Sequence, residues 1–160
     1  MIKTTAIPTE LDAPFIREVT DLFEEKITFN KVLGIKLSEL KPDRVTARLP
    51  MREDLIGHYL HQRIHGGVIS ACLDALGGIA VMAAVGARHM DEPVEQRMKR
   101  FMKLGTIDLR IDYVRPGVGS HFQLSADVLR LGSRVGSTRM EFRGADGKLM
   151  ATGSGAYIMS

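Results

Sequence analysis

From Ile64 to Ala87 the chain carries one formally charged side chain, Asp74, in a run of small and apolar residues, IHGGVISACLDALGGIAVMAAVGA. Few folds accept such a segment. Its length suits a membrane span, but its glycines and central carboxylate weaken insertion. Nothing else in the chain resembles a membrane protein. A helix that is apolar all round is also the core helix of a soluble protein, and the many small residues suit close packing on a sheet. The sequence therefore predicts a long buried helix and no membrane span.

The flanks supply the sheet. Residues 12 to 29 read as an amphipathic helix, with Asp12 as N-cap, Pro14 in the first turn and Phe15, Val19, Leu22, Phe23 and Ile27 on one face. Gly34 breaks it. Residues 35 to 41 and 44 to 51 alternate as two strands turned at Lys41-Pro42-Asp43. The charged stretch Asp91 to Lys103 reads as a solvated helix or loop. Ile107, Leu109, Ile111 and Tyr113 then alternate with polar residues, and Phe122, Leu124, Ala126 and Val128 do so before a turn at Gly132. Strands over 135 to 143 and 149 to 158, joined by Gly144-Ala145-Asp146-Gly147, complete the set. One long helix wrapped by an antiparallel sheet, with an N-terminal helix, is an α+β arrangement. The 160 residues suit a tail over 1–11 and one domain over 12–160.

Composition excludes several classes. The net charge is +3, but Lys and Arg are scattered among acids and no nucleic-acid-binding signature appears. A small anionic ligand suits the charge equally well. The opening MIKTTAIPTELDAP lacks the pattern of a secretory signal, and the one cysteine, Cys72, allows no internal disulfide. Together they predict a reducing, cytoplasmic setting. Cys72 reads as an inert buried thiol. The nine methionines read as core filler, some of them lining an adaptable apolar tunnel. His58, His61 and His65 have a spacing seen in zinc sites. With no HExxH, and with the nearest acids, Glu53 and Asp54, lying before His58, no metal is expected.

Asp74 is the anomaly, since a carboxylate in an apolar helix is costly unless it is paired or used. A neighbouring hydroxyl or backbone group that satisfies it is one reading; a functional site is the other. His65-Gly66-Gly67 opens the same helix. Helix heads offer unpaired N–H groups and a positive dipole end, and glycine admits a substrate carbonyl to the backbone, which together describe an oxyanion hole. Gly66 and Asp74 are eight residues apart, about 12 Å along a helix. They meet at one carbonyl only if two such helices lie antiparallel across a two-fold axis, so the spacing predicts a homodimer or a dimer of dimers.

The segment HGGVISACLD resembles the His-Gly-Gly and ninth-residue Asp of the PaaI-like hotdog-fold acyl-CoA thioesterases. GTIDLRIDYVRPG, residues 105 to 117, and FNKVLGIKL, residues 29 to 37, are similar to the YigI-type medium- and long-chain branch. The resemblance runs from about Phe15 to Ser160 and implies a hotdog fold that hydrolyses fatty acyl-CoA, with no cofactor beyond the coenzyme A of the substrate. It implies Asp74 as general base or nucleophile, the Gly66 N–H as the donor to the thioester carbonyl, and Thr106 as the group that orients water. His58 stands where the family usually has an asparagine that holds the thioester. His65 and Gly67 complete the substrate-binding turn. Arg115 and Arg134, expected at strand ends, are candidates for the coenzyme A phosphates. Two alternatives remain at this point. A hotdog enoyl-CoA hydratase generally wants a His paired with the Asp, and none follows Asp74 within the helix. A non-catalytic acyl-CoA sensor would usually carry an added domain.

Overall fold

The computed structural model describes residues 10–159; of the expected tail, residues 1–9 lie outside the described residues. Asp12 caps the first helix, α1 (Ala13–Asp21), by accepting a hydrogen bond from the Phe15 N–H at 3.1 Å, with Pro14 in the first turn. Phe15, Val19 and Phe23 of the expected apolar face are fully buried. The expected single helix to residue 29 is instead broken. A π-helical turn over Leu22–Lys26 closes with the Ile27 N–H on the Leu22 carbonyl, Ile27 is extended, and α2 (Thr28–Leu33) restarts the helix. Two adjacent β-branched residues, Ile27 and Thr28, favour the break. The Asn30 side chain, buried, donates to the Phe23 carbonyl at 3.0 Å across it. Gly34 ends α2 in the left-handed conformation at φ 75°.

Two strands follow as expected, β1 (Lys36–Leu40) and β2 (Arg44–Pro50). A short hairpin then appears that alternation does not reveal, β3 (Ile56–His58) and β4 (Arg63–Ile64), because strands of three and two residues are too short to carry a period. The long helix, α3 (Gly66–Arg88), starts at the His-Gly-Gly turn. After it come α4 (Val94–Lys99) and four strands: β5 (Gly105–Tyr113), β6 (His121–Leu131), β7 (Val135–Gly144) and β8 (Leu149–Ile158). The six longer strands form one antiparallel sheet in the order β1-β2-β6-β7-β8-β5, and α3 lies against five of them.

α3 departs from the expected all-round burial. Every residue from Leu76 to Ala84 is buried, but Gly67, Ser70, Ala71 and Asp74 remain half-buried or exposed. Their spacing of three and four places them on one open stripe of the first half of the helix. α3 is long and apolar enough to cross a membrane, yet 67% of its most apolar stretch is buried within the protein. It is a core helix with one open face.

The charged stretch is not merely solvated. Arg97 on α4 is 4% exposed, pairs with Asp12 at 2.7 Å and stands 4.6 Å over the Phe15 ring. It ties α4 to the N-terminal helix through charge and aromatic contact. The ion pair holds the Asp12 carboxyl below its ordinary range.

Candidate functional site

Thr106 and Asp74 meet. Alternation alone puts Thr106 on the face of β5 that carries Asp108, Arg110 and Asp112, away from the helix. In the ladder with β8, Thr106 stands opposite Tyr157 and Asp108 opposite Ala156, so Ile107 is an extra, bulged residue. Beyond it Leu109, Ile111 and Tyr113 stand opposite Gly155, Gly153 and Ala151, on the face that packs against α3. The bulge carries Thr106 onto that same face and leaves Ile107, expected to point inward, 56% exposed. The Thr106 hydroxyl donates to Asp74 Oδ1 at 2.9 Å.

Behind this pair Tyr157, 1% exposed, donates its hydroxyl to the Asp74 backbone carbonyl at 3.1 Å. Burial raises the phenol above its ordinary titration range, and the Asp74 charge adds to the rise, so it stays a neutral donor. Gly77 and Gly155 make room for its ring; a Cβ at Gly77 would collide with the phenol oxygen. Sequence reading missed this residue. The one signal available was the Gly77-Gly78 pair, which marks a close approach to the helix.

A second group gathers at the head of α3. His65 is the N-cap and its Nδ1 accepts from the Gly67 N–H at 2.8 Å. The Gly66 N–H, at the first helical position, has no carbonyl one turn back to receive it and donates to none of the described residues. The hairpin packs on this head: the Leu55 carbonyl accepts from the His65 N–H at 2.8 Å, and a Cβ at Gly57 would stand 2.7 Å from the His65 Cα. His58, the residue after Gly57 in this hairpin, is exposed, with its ring 4.8 Å from that of His61. Tyr113, also missed as a site residue, donates its hydroxyl to the Gly66 carbonyl at 2.8 Å.

The structure thus sorts the expected residues into two sets. Asp74 and Thr106 stand midway along α3; His58, His65, Gly66 and Gly67 stand at its head.

A model of the family described as "Thioesterase superfamily" matches residues 61–151, more than half of the chain. The chain belongs to the thioesterase superfamily. Its long helix packed on a six-stranded antiparallel sheet is the hotdog fold of these proteins, and it is a thioester hydrolase. A thioesterase-superfamily crystal structure from Shewanella oneidensis superposes with a TM-score of 0.87 at 35% identity, over 92% of this chain and 97% of that one. The medium/long-chain acyl-CoA thioesterases YigI of Escherichia coli K12 and Salmonella typhimurium are each 28% identical over 144 residues, 90% of this chain and 93% of theirs. Mouse thioesterase superfamily member 2 shares the fold, with a TM-score of 0.72 at 18% identity.

Within this thioesterase chain the two candidate arginines part company. Arg115 lines an open groove of about 330 Å³ together with Arg63, Gly66, Ile69 and Tyr113. One of its Nη atoms donates to the Leu149 carbonyl at 2.9 Å. Arg63 is the cation that sequence reading passed over. Arg134 lies in the turn between β6 and β7, which Arg88 binds through the Leu131 and Gly132 carbonyls at 2.6 and 2.7 Å. It stands at the tail of α3, so one protomer does not bring Arg134 to the groove at the head. Cys72 is fully buried and its thiol is pushed up to about 12, which removes it as a nucleophile near neutral pH. Among the described residues, no three His, Cys, Asp or Glu side chains gather as a metal site.

Proposed function

We propose that the protein hydrolyses medium- to long-chain fatty acyl-CoA to the free acid and coenzyme A, as a cytoplasmic homodimer or dimer of dimers. The observation that carries this reading is the hydrogen bond from Thr106 to the Asp74 carboxylate on the open face of α3. With Oδ1 engaged, Oδ2 is directed to a water, and the Thr106 oxygen still accepts a second hydrogen bond from that water. The water oxygen attacks the thioester carbon as Asp74 takes its proton. The oxyanion receives the Gly66 N–H of the other subunit, a donor worth about 3 kcal/mol in such transition states. The C–S bond then breaks and the proton passes from Asp74 to the departing thiolate. No step calls for a metal or redox cofactor.

Gly66 and Asp74 lie about 12 Å apart along one helix, which is why the reading needs two subunits. β5 is an edge strand of the sheet, with Ile107 and Tyr113 more than half exposed. Such an edge favours pairing with a second copy. His58 is taken to hold the thioester from the Gly66 side, and His65 and Gly67 to shape the turn that receives it. Arg115, in the groove beside Gly66, is taken to bind coenzyme A phosphate. Arg134 joins it only if another subunit brings it near.

The test is thiol release from acyl-CoAs of graded length. Turnover should peak for medium or long chains, and Asp74→Asn should lower kcat by about 100-fold or more. Near-normal turnover by Asp74→Asn removes Asp74 from the chemistry.

A further inference from the structure

Two successive glycines at a helix head admit a substrate carbonyl closely, but they leave the backbone there with the least intrinsic restraint. The backbone groups of this turn are nearly all engaged. The His65 N–H donates to the Leu55 carbonyl at 2.8 Å, and the His65 carbonyl accepts from Val68 and Ile69 at 3.0 and 3.3 Å. That carbonyl shares a peptide plane with the Gly66 N–H, so the plane is held from behind. The next plane is gripped at both ends: the Gly66 carbonyl accepts from the Tyr113 hydroxyl at 2.8 Å, and the Gly67 N–H donates to His65 Nδ1 at 2.8 Å. The Tyr113 ring also closes against the glycine, since a Cβ at Gly66 would stand 3.3 Å from it. What remains is the Gly66 N–H.

We propose that Tyr113 and the His65 imidazole are positioning residues that clamp the Gly66–Gly67 peptide and so fix the direction of the Gly66 N–H. The proposal rests on the reading of Gly66 as the oxyanion donor. Neither side chain touches the reacting atoms. Each restrains a peptide that lacks side chains of its own, which allows the donor to be both closely approached and rigid. His65 accepts through Nδ1, so its ring proton sits on Nε2.

The test is steady-state kinetics on Tyr113→Phe, which keeps the ring and deletes the hydroxyl, and on His65→Ala and His65→Asn. Gly66→Pro deletes the donor itself at a first helical position, where proline suits the backbone, and the extended His65 before it (φ −66°, ψ 134°) is compatible with proline. Gly66→Ala controls for the added carbon. Tyr113→Phe should lower kcat about tenfold with KM within about twofold and an unchanged melting temperature. His65→Ala should do the same, and His65→Asn, which restores a capping oxygen, should recover most of the loss. Because the clamp acts through the Gly66 N–H, Tyr113→Phe should cost nothing more in the Gly66→Pro background. A Tyr113→Phe enzyme with normal kcat, or one whose loss is as large without the donor as with it, overturns the clamp. If Gly66→Pro turns over as fast as Gly66→Ala, the donor reading itself has failed and the clamp goes with it.

Discussion

The Thr106 hydroxyl reaches the Asp74 carboxylate over 2.9 Å because Ile107 is bulged out of the β5–β8 ladder. A regular strand would turn Thr106 to the opposite face. The bond leaves one carboxylate oxygen available to water and fixes its direction. Thr106→Val should therefore lower kcat about tenfold, while Thr106→Ser, which keeps the hydroxyl, should retain most of the activity. Thiol-release kinetics on both variants check this. A larger loss from Ser than from Val would assign the role to the methyl group and its packing, and equal losses would contradict a role resting on the hydroxyl alone.

The Tyr157 ring occupies space that Gly77 leaves open on α3, and its hydroxyl donates to the backbone carbonyl of Asp74. Gly77→Ala places a carbon on the phenol oxygen in a fully packed region. The cost should be about 1–3 kcal/mol, read as a lower melting temperature. A modest displacement of Tyr157 would also move Asp74, so kcat should fall with stability. Unchanged melting of Gly77→Ala would show that the ring is not fixed against the helix.

The Asp12–Arg97 pair gives a pH dependence of stability. The Arg97 guanidinium holds the folded Asp12 carboxyl below its ordinary value of 3.8. The carboxylate thus favours the folded state at pH above the unfolded value, and that contribution is lost as pH falls through the folded one. Asp12→Asn keeps a capping side chain but leaves the buried Arg97 without its counter-charge. It should lower stability by about 2 kcal/mol near neutral pH. The gap between wild type and Asp12→Asn should be constant from about pH 5 upward and close below the ordinary carboxyl value. Denaturant melts across pH measure it; a gap that widens on acidification would contradict the assignment.

Much of the fold was legible because it follows from strong local signals. The six longer strands were marked by alternation and turn residues, α3 by its length and missing charge, and the start of α1 by Asp12 and Pro14. What escaped depends on single-residue geometry or on distant partners. One extra residue in β5 changes no composition, yet it reverses the face of Thr106. The hairpin around His58 is too short for a period. Arg97 looked solvated because the carboxylate and ring that bury it are some eighty residues away in sequence. Asp74 and Gly66 stood out in the sequence because each breaks the character of its surroundings, a charge among apolar residues and a glycine pair at a helix head. Tyr113 and Tyr157 were missed because an aromatic in a strand looks the same whether it fills the core or directs a hydroxyl at a helix.

The central claim is that the Gly66 N–H and the Asp74 carboxylate act on one thioester from different subunits, and mixing two dead variants tests it most directly. Gly66→Pro and Asp74→Asn homodimers should each be nearly inactive. After joint unfolding and refolding, or co-expression, a mixed dimer contains one site with both native groups and one with neither. The mixture should regain about a quarter of wild-type activity, given random pairing of protomers across a two-fold axis. Activity no higher than the average of the two parents, in samples where mixed dimers are demonstrated, would place both groups on the same chain and contradict the account.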